Sequence, residues 1–121
     1  MAESKTRQMQ AAMKFIGIRT DAGCDVWASD DCGIQRLRPR LDLRRHSPTG
    51  FEWGYAGSGP AQLALAILAT WSHNDGFALK HYQDFKFRVI DRLPHEAWEL
   101  TGEDIQRAIA EIHHNRKTDN L

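Results

Sequence analysis

The chain has 121 residues, 41% of them hydrophobic and 26% charged, and its 16 Lys and Arg balance 16 Asp and Glu. That balance excludes the bulk negative surface of a DNA mimic and argues against a uniformly basic nucleic-acid binder. A chain of this length buries roughly two thirds of its extended surface, enough for one domain with its own core and no metal or disulfide staple.

Residues 1–12 are polar and helix-permissive, lack the apolar stretch of a secretion signal, and read as a flexible N-terminal arm. Lys14–Thr20 (KFIGIRT) fits a short strand, Asp21-Ala22-Gly23 a turn, Cys24–Ala28 a second strand, Ser29–Gly33 another turn, and Ile34–Leu37 the start of a third strand. Such a meander needs a covering layer, because a small sheet does not persist alone in water. Phe51, Trp53 and Tyr55 alternate with Glu52 and Gly54, the period of a half-buried strand with its aromatic face inward. Gly57-Ser58-Gly59-Pro60 then opens a helix, with Ser58 or Gly59 as cap and Pro60 in the first helical position.

From Ala61 to Trp71 nearly every position is apolar, which predicts a central, surrounded helix. Its longest apolar run, Leu63 to Ala69, falls far short of the roughly 20 residues of a membrane span. Asn74-Asp75-Gly76 breaks this helix, and Phe77–Leu93 resumes with Leu79, Tyr82, Phe85, Val89 and Leu93 at helical spacing until Pro94. Trp98 and Leu100 suggest a short extended piece. Thr101 and Asp104 have the spacing of a capping box before the apolar stripe Ile105, Ala108, Ile109 and Ile112, a third helix lying on the core or capping a sheet edge. The pattern predicts a single α+β domain over 13–116: a small antiparallel sheet of three to five strands with about three helices packed on one face, followed by a loose tail at 117–121.

Few residues point to chemistry. The turn Gly57-Ser58-Gly59 before a helix exposes backbone N–H groups that favour an anion, yet no Walker or dinucleotide spacing follows, and a tight turn that needs small residues explains it as well. Arg36, Arg38, Arg40, Arg44 and Arg45, opposed locally only by Asp42 and followed by His46, form a cationic stretch between Pro39 and Pro48 whose forks suit phosphate or carboxylate. Solvated or internally paired arginines are the alternative. If this connection folded over the Gly57 turn, the two features would make one anion site. Asp21, Asp25, Asp30 and Asp31 form an acidic stretch that lacks the glycine and terminal Glu of a calcium loop. The six histidines show no metal-ligand spacing, so no metal or other cofactor is expected. Ser58 lacks the flanking glycine of a nucleophile elbow, and neither it nor Cys24 has an identifiable base. Cys24 and Cys32 are expected as reduced thiols in a cytoplasmic protein, although their spacing could set them opposite each other across a hairpin.

Arg40-Leu41-Asp42-Leu43-Arg44-Arg45-His46-Ser47-Pro48-Thr49-Gly50, Phe51-Glu52-Trp53-Gly54-Tyr55, Gly57-Ser58-Gly59-Pro60-Ala61-Gln62-Leu63-Ala64 and Tyr82-Gln83-Asp84-Phe85-Lys86 together resemble a family of small bacterial, plasmid and phage proteins classed as a domain of unknown function. The similarity runs from about Lys14 to Ile105. It carries no reaction, but a mobile-element setting implies proteins that interfere with host defence, such as anti-CRISPR inhibitors or sponges of nucleotide signals. Within the motif, Asp42, Arg44, His46, Gln62 and Lys86 are polar and must pair with each other or with a ligand.

The leading expectation is a non-enzymatic binding protein that occupies a host or phage protein surface, with Arg36, Arg38, Arg40, Arg44, Arg45, His46 and the four aspartates as charged contacts. One alternative is a phosphorylated ligand or nucleotide held by Gly57, Ser58, Gly59, Gln62 and Arg44. A small hydrolase or nuclease is the weaker one. Direct nucleic-acid binding stays open, and no membrane association is expected.

Overall fold

The computed structural model describes the backbone of residues 2–119 and the side chains of residues 6–114. Three strands, β1 (Lys14–Thr20), β2 (Gly23–Asp30) and β3 (Gly33–Arg36), make the expected meander, and β4 (Ala97–Thr101) joins the free side of β1. The sheet is four-stranded and antiparallel in the order β3-β2-β1-β4. Gly23 and Gly33 close the two hairpins at φ +130° and +137°, backbone that a side chain rarely adopts. In this register Phe15 lies opposite Ala28 and Leu100, and Gly17 opposite Val26 and Trp98, and all six are buried.

Helices cover only that face. Helix α2 (Ser58–Ser72) is the central one, with Leu63, Ala64, Leu65, Ala66, Ile67 and Leu68 all at 0% exposure. It ends at His73, whose φ of 53° turns the chain, and Asn74 then caps α3 (Asp75–Arg88) by accepting the Phe77 N–H at 3.0 Å. A short 3-10 turn over Ile90–Arg92 leads to β4. The expected capping box opens α4 (Gly102–Asp119): Asp104 accepts the Thr101 N–H at 3.0 Å, and the Thr101 hydroxyl accepts the Asp104 N–H at 3.1 Å.

Some elements differ from the sequence reading. Residues 2–12, read as a flexible arm, form helix α1 (Ala2–Ala12). Its carbonyls are used by residues distant in sequence: Gln10 accepts from the Trp71 indole at 3.2 Å and Arg7 from Gln106 at 3.5 Å. Gly102 makes the docking possible, since a Cβ there would lie 1.6 Å from the Gln10 carbonyl oxygen.

Phe51–Tyr55 is not a strand. Gly54, at φ +83° with its N–H on the Ile90 carbonyl at 3.0 Å, breaks the extended run and its alternation. Trp53 is fully buried while Tyr55 is exposed. Helix α3 stops at Arg88 rather than Leu93, and α4 carries residues 117–119 of the expected tail; residues 120–121 lie outside the described residues. Cys24 and Cys32 do not face each other, because Cys24 lies opposite Arg19 across β1 and β2 whereas Cys32 sits in the β2–β3 turn.

Candidate functional site

The polar residues of the motif turn out to hold the chain to itself. Gln62, at 0% exposure, accepts the N–H groups of His46 at 2.8 Å and Ser47 at 3.1 Å and donates to the Pro39 carbonyl at 2.5 Å. His46 Nε2 and the Tyr82 hydroxyl share a 2.7 Å hydrogen bond. The connection between β3 and α2 is therefore folded onto α2 at Gln62, and protein groups occupy these contacts. Arg40 has a left-handed backbone, φ 57°, and its guanidinium bonds Asp42 at 3.1 Å and Asp75 at 2.9 Å, which ties the connection to the start of α3. These bonds, first to Asp42 and then to Asp75, raise the Arg40 pKa, and the same guanidinium holds the Asp42 carboxyl below the usual carboxylate range. Lys86 is buried against Asp91 at 3.1 Å.

The Gly57–Gly59 turn is likewise occupied by its own surroundings. The stem of Glu52 packs on buried Gly59, where a Cβ would come within 2.6 Å of Glu52 Cβ, and the Tyr55 ring lies over Gly57. Ser58 is exposed and makes no cap, since no side chain bonds the start of α2.

The arginines divide. β3 ends at Arg36, whereas Arg38 and Arg40, beyond it, border one surface cleft with Asp42, His73 and Asp75. Arg36 bonds Asp25 at 3.1 Å and lies 4.8 Å over the Trp27 ring. Arg38, Arg44 and Arg45 are exposed, with Arg44 donating to the Leu43 carbonyl at 2.8 Å. The acidic stretch also divides. Asp21 lies in the β1–β2 turn and Asp31 in the β2–β3 turn, at opposite ends of β2, which at about 3.3 Å per residue separates them by roughly 23 Å. Asp30 accepts the Cys32 N–H at 2.8 Å, and Asp25 is the partner of Arg36.

Two features escaped the sequence reading. Arg19 donates to both Glu52 oxygens at 3.0 and 2.8 Å and to the His95 carbonyl at 3.0 Å, with its guanidinium 5.0 Å over the Trp53 ring. The Trp53 indole donates to the same His95 carbonyl at 2.9 Å. Hydrogen bonding to Arg19 lowers the Glu52 pKa despite partial burial, while desolvation, and then the charge of Glu52, raises that of Cys24 beside it. This fork pins the end of the sheet.

The second is the uncovered face of the sheet. Ile16 lies opposite Trp27 and Glu99, Ile18 opposite Asp25 and Ala97, Trp27 opposite Arg36, and Ser29 opposite Ile34. None of these is buried, and Ile18 and Ile34 keep 42% and 61% of their surface in solvent. Ion pairs flank them, Lys14–Glu99 at 3.3 Å on one side and Arg36–Asp25 on the other. A signal was present: KFIGI and DVWAS place apolar residues on both parities, the pattern of strands apolar on both faces.

Among the described residues, no group of three or more His, Cys, Asp or Glu could hold a metal ion, and no helix is long and apolar enough to cross a membrane. Fold and surface define a small α+β domain with one sheet face covered by helices and one uncovered. The chain belongs to the family of unknown function DUF6166, whose model matches residues 15–111, from β1 into α4. No curated protein and no solved structure matches it.

Proposed function

We propose that this is a non-catalytic binding protein that acts by covering part of a partner protein, as an inhibitor of a host defence system of the anti-CRISPR kind carried by a phage or other mobile element. The uncovered sheet face supports this reading most directly. A sheet face with half-buried Ile16 and Trp27 and exposed Ile18 on its two inner strands, exposed Ile34 on its β3 edge, and charged pairs beside them has elements of an interface: apolar surface next to a polar rim. Trp27 under the Arg36 guanidinium joins the two residue types most common at interface hot spots. Exposed Arg38, Arg44 and Arg45 add cations that can steer an acidic partner.

The test is phage plating on hosts that each carry one defence system, with and without this protein. Wild type is expected to restore plating against at least one system, and Ile18→Glu with Ile34→Glu to abolish that rescue while remaining folded. Rescue by the double variant equal to wild type would remove the sheet face from the mechanism. Absence of rescue across the panel would remove the inhibitor reading.

A further inference from the structure

We propose that the cavity beside the β2–β3 turn seats one large apolar side chain of the partner, carried in a segment with a Lys or Arg next to it. This rests on the partner-binding reading and names the anchor that the partner supplies.

The cavity is about 240 Å³ and lies between α1, the β2–β3 turn and the end of α2, with Met9, Met13, Cys32 and His73 in its wall. Ligand pockets for whole small molecules run from roughly 300 to 1,000 Å³, so this volume suits a single side chain. Met13 is buried in the wall, whereas Met9 keeps 60% of its surface exposed. Unbranched, polarizable methionines adapt to aromatic or aliphatic guests and are common on surfaces that receive a partner's side chain.

Charge selects the guest's neighbour. Asp30 and Asp31 border the same cavity, and among the described residues no Lys or Arg lines it. Asp30 spends one carboxylate oxygen on the Cys32 N–H, while Asp31 is exposed. A cation next to the inserted side chain would meet both carboxylates. Across the same turn, Ile34 stands on the uncovered sheet face, so one partner segment can touch both surfaces.

The test uses three short capped peptides as probes, Lys-Phe-Lys, Lys-Ala-Lys and Glu-Phe-Glu, titrated into the full-length protein. The methyl signals of Met9 and Met13 report occupancy, and the alkylation rate of Cys32, read by mass spectrometry, reports access. Lys-Phe-Lys is expected to shift both methyls and slow alkylation, and the other two peptides to do neither. Asp31→Lys should weaken Lys-Phe-Lys by about three- to fivefold at low salt, the effect of one exposed charge contact. Asp21→Lys makes the same charge change at the other hairpin and should leave binding unchanged.

Equal response to all three peptides, no response to any, or equal weakening by Asp21→Lys would overturn the assignment. The probe is independent of the defence assay. A protein that rescues plating but ignores Lys-Phe-Lys loses only the cavity assignment; one that binds the peptide and rescues nothing loses only the inhibitor reading.

Discussion

Replacing Gln62 with Leu should release the arginine-bearing connection from the domain. The side chain has 0% exposure and makes three hydrogen bonds, to His46 N–H, Ser47 N–H and the Pro39 carbonyl. Leucine has a similar size, so little cavity forms, and the loss is that of the hydrogen bonds. At about 0.5–1.5 kcal/mol net each, three bonds amount to about 3 kcal/mol, toward the lower end if water enters to satisfy the freed backbone groups. For a domain of this size that is a fall in melting temperature of roughly 10 °C. Urea unfolding gives the free energy, and amide hydrogen exchange locates it: His46 and Ser47 should lose protection while Ala66 to Ala69, inside α2, keep theirs. A change below about 0.5 kcal/mol with both amides still protected would refute Gln62 as the anchor, since that is the range of surface substitutions with no structural role.

Other outcomes follow from close contacts and charge. Gly17→Ala would place a Cβ 2.2 Å from the Trp98 ring and should destabilise the fold by about 1–3 kcal/mol, read by thermal unfolding, with the Trp98 fluorescence environment altered. Gly102→Ala should undock α1 from α4, because the new Cβ would strike the Gln10 carbonyl; faster proteolysis within residues 2–12 is the readout. The Arg19–Glu52 fork predicts a pH dependence. The Glu52 pKa is lowered by Arg19, so its stabilisation is complete above its ordinary value of 4.5 and is lost as pH falls through the folded value. Glu52→Gln should therefore cost about 1 kcal/mol at pH 7, discounted for partial exposure, and progressively less below pH 4.5, a convergence that acid-to-neutral unfolding curves measure.

What the sequence revealed was what local pattern controls. Period-2 and period-3.6 patterns located β1 to β3, the central helix and the stripe of α4, and the spacing of Thr101 and Asp104 named a capping box that the structure contains. Elements set by long-range pairing were less legible. The helix of residues 2–12 is held by Trp71, Gly102 and Gln106, far along the chain, and nothing local distinguishes it from an arm. Phe51–Tyr55 alternates like a strand, yet Gly54 turns left-handed and gives its N–H to the distant Ile90 carbonyl.

The polar residues of the motif were expected to pair with each other or with a ligand, and in the fold His46, Gln62, Lys86 and Asp42 meet Tyr82, the 39–47 connection, Asp91 and Arg40. The net charge of zero is a sum over an acidic and a basic stretch, and Asp25 with Arg36 joins one member of each across neighbouring strands.

Hydrogen–deuterium exchange of the protein alone and with a component of the defence system it blocks in the plating assay tests the central claim most directly. Binding through the uncovered face predicts new protection within residues 14–20 and 25–36 and little change on α3. Protection confined to α3 and α4, with the sheet strands exchanging as in the free protein, would contradict it.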